Sequence, residues 1–96
     1  MTDIAWDRQI HDCTQAIWSG QFSGENRPRA FYNRGIAYQI IHQYELAIAD
    51  FNQAIHLDPA NAAAYYVRGL VKLKKGDTAG GIGDIARARQ LNPAIN

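Results

Sequence analysis

The 96-residue chain has one cysteine, Cys13, so no internal disulfide framework holds it together. That is compatible with a reducing compartment. No apolar run approaches the roughly 20 residues that a membrane-spanning helix needs. The first residues carry Asp3 and Asp7 where a secretory leader would carry base. These absences predict a soluble, cytoplasmic protein with no membrane association. An excess of one charge sign is also missing: ten basic and nine acidic residues give +1 and are spread along the chain, so there is no electrostatic case for a nucleic-acid partner. Apolar residues make up 47% of the chain, enough for the core of a single domain spanning 1–96.

Helical periodicity supplies the elements. Asp3 is a candidate N-cap for a first helix, with Ile4, Trp6, Ile10, Cys13, Ile17 and Trp18 recurring at three- and four-residue steps up to Gly20. An irregular loop follows, with Asn26 capping a second helix from about Pro28 to Ile41. His42-Gln43 turns the chain into a third helix, Tyr44 to Leu57, closed by Asp58-Pro59. Asn61 caps a fourth, Ala62 to Lys75, which stops at Gly76. Asp77 caps a fifth that runs to about Leu91 before Asn92-Pro93. Strand signals are lacking, so the fold class is all-α with five helices, and the short loops imply antiparallel neighbours.

The pattern repeats. Arg34-Gly35 and Arg68-Gly69 stand 34 residues apart, as do Asp58-Pro59 and Asn92-Pro93. A period of this size marks stacked units that cannot bury their apolar faces alone. The first unit, 28–61, has Phe31, Arg34-Gly35, Tyr38, Ala47, Phe51, Ala54 and Pro59. The second, 62–95, has Tyr65, Arg68-Gly69, Lys72, Gly81, Ile85, Ala88 and Pro93 in the same register. In front of them, Asp12-Cys13-Thr14-Gln15-Ala16-Ile17 parallels Asp50-Phe51-Asn52-Gln53-Ala54-Ile55, so residues 3–20 read as the second helix of a unit lacking its first.

These residues resemble the tetratricopeptide repeat, a pair of antiparallel helices with a large aromatic, Leu-Gly, Tyr, Ala, Phe and closing Pro at fixed spacing. The resemblance implies a right-handed superhelical stack, an α-solenoid, of half a repeat followed by two. Lys72 departs from the pattern where Tyr is expected, and Gly80, Gly81 and Gly83 each cost the last helix about 0.8–1.0 kcal/mol relative to Ala.

Catalytic and metal chemistry find no support. His11 and Cys13 point about 200° apart on a helix and have no second ligand pair. Cys13 takes the register of Phe51, which predicts a packed side chain. His42 lies at an inter-helix turn and His56 near a helix C-terminus, where solvated or capping roles are usual. Asp50 and Asp84 repeat together, which points to a structural job within each unit. Gly80-Gly81-Ile82-Gly83 lacks the strand and Gly-Lys-Ser/Thr of a phosphate loop. Lys72, Lys74 and Lys75 lie where a helix ends, a favourable place for cations. No enzyme, metal or cofactor is expected.

The resemblance places ligand contacts on the concave face lined by the first helix of each pair. Helical spacing would present Arg29, Tyr32, Asn33, Ile36 and Gln39 from the first unit there, and Ala63, Tyr66, Val67, Leu70 and Lys74 from the second. Such a face suits a protein scaffold that holds a peptide segment of a partner. A related subclass clamps acidic carboxylate tails. Asn33 matches its Asn, but Tyr32, Ala63, Tyr66 and Val67 offer no cations at the neighbouring clamp positions, so that activity does not carry over. The alternative is a self-associating homo-oligomer. Trp6, Ile10, Cys13 and Ile17 lack the first helix of their unit, and Ile82, Ile85 and Leu91 lack a following helix.

Overall fold

The computed structural model describes residues 4–19 and 26–95. Among them are five helices and no strand: α1 Ile4–Ser19, α2 Asn26–Ile40, α3 Tyr44–Leu57, α4 Ala62–Lys75 and α5 Thr78–Leu91. The expected cap Asp3, the expected stop Gly20 and the loop at 21–25 lie outside the described residues. Helix α2 begins at Asn26.

The remaining helix ends follow local chemistry. The Asn61 side chain accepts a hydrogen bond from the Ala64 amide at 3.1 Å, and Asp77 does the same for Gly80 at 3.0 Å. Gly76 closes α4 in the left-handed conformation with φ 96°, while Asp77 N–H donates to the Lys72 carbonyl. The position 34 residues earlier is His42, and it too is left-handed, with φ 64°. Gln43 N–H donates to the Tyr38 carbonyl there, the counterpart of the Asp77 bond. Both units thus end their first helix by one backbone manoeuvre, in one case with a residue that has a Cβ.

The helices zigzag in sequence: α1 on α2, α2 on α3, α3 on α4 and α4 on α5, with a narrower contact between α2 and α4. Helices α2 and α4 form one layer, and α1, α3 and α5 the other. Close approach within each pair depends on glycine. A Cβ on Gly35 would stand 2.7 Å from the Phe51 ring, and one on Gly69 would stand 2.8 Å from the Gly81 carbonyl oxygen and 2.9 Å from Ile85 Cγ1. Phe51 and Val71 are fully buried between the units together with Ala47. A second cluster, Ile17, Ala30, Phe31, Ala54, Ile55 and Ala64, joins α1 to the first unit and that unit to the second.

Candidate functional site

Two arginines hold the α2/α4 layer against the other. Arg34 donates from Nε and Nη2 to both carboxylate oxygens of Asp50 at 2.7 Å, and from Nη1 to Thr14 Oγ1 at 2.9 Å. Arg68, one period later, grips Asp84 in the same way at 2.7 and 2.8 Å and reaches Asn52 Oδ1 at 2.8 Å. Thr14 and Asn52 share a register. Each arginine therefore binds the carboxylate of its own unit with two arms and the unit in front with the third, a bidentate geometry that lysine could not reproduce.

The aromatic and basic neighbours differ between the units. Arg34 lies 5.8 and 5.7 Å from the ring centroids of Phe31 and Tyr38, and Arg68 lies 5.5 Å from Tyr65. Lys72, which takes the register of Tyr38, instead places its ammonium 3.0 Å from Asp84 Oδ2. Burial resists ionisation of Asp84. The hydrogen bonds and charges of Arg68 and Lys72 outweigh it and hold the carboxyl below the usual carboxylate range. The side-chain hydrogen bonds to Asp50 and Asp84 raise the Arg34 and Arg68 guanidiniums, against partial opposition from burial. Asp50 and Asp84 thus hold the pairs together, the repeated structural job that their spacing implied. Lys75 pairs with Glu45, a further tie between the units.

These ties expose one side of α2 and α4. Ile36 and Val67 are half-buried and pack on the Phe51 cluster, and the Tyr32 ring meets Phe51 at 5.9 Å between centroids. Burial pushes the Tyr32 phenol up. Asn33, Gln39, Tyr66 and Leu70 are half-buried, and Arg29, Ala63 and Lys74 are exposed. A cavity of about 1240 Å³ lies at the end where α2 and α4 begin and α3 and α5 finish. Of the ten residues expected on the concave face, it brings together Arg29, Tyr32 and Ala63. The other seven lie elsewhere on α2 and α4. Arg27, Leu57, Asp58, Asn61, Leu91 and Asn92 also line the cavity, and sequence reasoning did not assign them to it. The signal was present: Leu57-Asp58 and Leu91-Asn92 are one period apart, and each closes the second helix of a unit.

The residues expected at open ends divide. Ile17 is buried, 5% exposed, in the cluster with Phe31 and Ile55, so it does not lie open for self-association. Trp6, Ile10 and Cys13 are half-buried. Trp6 and Ile10 continue the stripe of Thr14 and Ile17 that faces α2. Burial raises the Cys13 thiol, partly offset by the charge of Arg34. At the other end, Ile85 abuts Gly69, and Leu91 lines the cavity. Ile82 is open at 59% exposure.

Helix pairs repeated in register, each stapled to the one in front by an equivalent arginine, define an α-helical repeat protein of the solenoid class. Residues 28–61 match the tetratricopeptide repeat family. Residues 28–61 thus carry a tetratricopeptide repeat within an all-α helical-repeat fold, and repeats of that family generally mediate protein–protein interactions. No curated protein matches the chain. Among the described residues no helix is long and apolar enough to cross a membrane, and no three His, Cys, Asp or Glu side chains gather to hold a metal ion.

Proposed function

We propose that the chain is an adaptor that holds a peptide segment of a partner protein along α2 and α4. The observation that carries this reading is Tyr32. Its ring is backed by Phe51 on one side and lines the 1240 Å³ cavity with Arg29 and Ala63 on the other. A rigid, half-buried aromatic beside an exposed arginine is the usual anchor of an interface. Ile36 and Val67, supported from below by the core, extend an apolar floor beyond it. The single Cys13 and the lack of disulfides fit a cytoplasmic setting.

Peptides selected from a displayed random library give the test. Binders of micromolar affinity should lose at least about tenfold on Tyr32→Ala, about 1.4 kcal/mol, with the helical circular dichroism retained. Selected peptides indifferent to Tyr32→Ala and Val67→Glu would contradict the groove. A second reading, self-association, is favoured by the exposure of Ile82 on the outer face of α5.

A further inference from the structure

The outer face of α5 has two internal precedents. On α3 the stripe Tyr44, Ile48, Asn52 and Ile55 meets α4, and on α1 the stripe Trp6, Ile10, Thr14 and Ile17 meets α2. The third copy of that stripe is Thr78, Ile82, Ala86 and Arg89. There the polar acceptor has become a methyl, and an apolar side chain has become a cation. A further helix of the α2 or α4 kind would find no acceptor for its arginine. A partner suited to this face has different chemistry: apolar at Ile82, small at Ala86 and acidic at Arg89.

Such a surface exists at the front of the same molecule. Asp12 has the register of Asp50 and Asp84, each of which receives a bidentate arginine, yet among the described residues Asp12 has no ion-pair partner. It borders a shallow depression of about 350 Å³ together with Ala5, Arg8, Gln9 and Cys13. Ala5, Gln9 and Asp12 are exposed and carry the four-then-three spacing of Ile82, Ala86 and Arg89. Helices α1, α3 and α5 alternate with α2 and α4, so they run in the same direction. Simple translation of one molecule along the stack therefore sets α5 parallel to the next α1. In that register Ile82 meets the depression at Ala5, Ala86 lies beside Gln9 and Arg89 reaches Asp12.

The charge distribution favours the same arrangement. Residues 1–61 contain four basic and seven acidic side chains, a net of −3, and residues 62–96 contain six and two, a net of +4. Charges that look evenly spread along the sequence are thus unequal between its first 61 and its last 35 residues. We propose that the chain associates head to tail, the α5 face of one copy docking on the α1 face of the next. The inference rests on the self-association reading and specifies its surfaces. Because the two faces differ, the contact is heterologous and does not close at two copies. Antiparallel pairing of α5 with itself would leave Asp12 unmatched.

Light scattering with Asp12→Arg and Ile82→Lys tests this, both positions being outside the core. The wild-type mass should rise continuously with concentration and fall at salt on the order of 1 M, where screening is nearly complete. Each variant alone should be a monomer. An equimolar mixture should give a pair of chains that grows no further, since one variant keeps its α5 face and the other its α1 face. A wild type that stops at two copies, or a single variant that associates like the wild type, overturns head-to-tail docking while leaving self-association standing. A wild type monomeric at every concentration overturns both.

Discussion

Arg34 and Thr14 are 20 residues apart in sequence and 2.9 Å apart in the fold, and their hydrogen bond ties the half-unit α1 to the first complete pair. Arg34 already spends two arms on Asp50, so the third reports on α1 alone.

Thr14→Val leaves that N–H without its partner at a part-buried site. A hydrogen bond to a charged group contributes about 1.5 kcal/mol, and amides of α1 should exchange with solvent about tenfold faster while those of α4 and α5 are unchanged. Native-state hydrogen exchange measures this. Uniform acceleration along the chain would show that α1 is not a separate unit.

Glycines in similar helical positions should respond in opposite directions. Gly35→Ala pushes a methyl into the fully buried Phe51 ring and should destabilise the protein by about 1–3 kcal/mol in urea unfolding. A methyl on Gly83 would meet no atom within 4 Å, and Gly83→Ala should stabilise α5 by about 0.8–1.0 kcal/mol.

His42 holds the left-handed conformation that Gly76 holds one period later. His42→Gly removes the Cβ penalty of about 1–2 kcal/mol, less the chain entropy that glycine loses, for a net gain of roughly 0.5–1 kcal/mol. The midpoint of thermal unfolding should rise.

Acid should act through Asp84. Its carboxyl is held below the ordinary value, so the unfolded chain takes up the proton first as pH falls through about 3.9. The stabilisation is fully present above that pH and is lost as pH falls through the folded value. Asp84→Asn breaks the Arg68 and Lys72 pairings and should cost about 3 kcal/mol at neutral pH. The gap between variant and wild type should narrow below pH 4 in urea titrations. A constant gap would remove Asp84 from the acid response.

The helices were legible because periodicity, caps and the 34-residue interval agreed: α3 occupies the span between His42-Gln43 and Asp58-Pro59, and α4 and α5 those that Asn61, Gly76, Asp77 and Asn92-Pro93 delimit. Gly35 and Gly69 stand one period apart in the sequence, and each sits at the close approach of the two helices of its unit. The third arm of each arginine was not legible, because Thr14 and Asn52 come into reach only when separate units stack. The cavity at the helix ends was partly hidden for a similar reason: Arg29, Tyr32 and Ala63 lie on the helices expected to line the concave face, whereas Leu57 and Leu91, at the ends of α3 and α5, join them only in the folded stack. Ile17 lacks the first helix of its own unit in the sequence, yet it is buried, because α2 packs against it.

Whether α2 and α4 form the binding face is decided by chemical-shift mapping of the ¹⁵N-labelled protein with a selected peptide. The perturbed amides should cluster around Arg29, Tyr32, Ile36, Ala63, Tyr66 and Val67. Perturbations confined to the outer faces of α1, α3 and α5, with α2 and α4 silent, would contradict binding by that face.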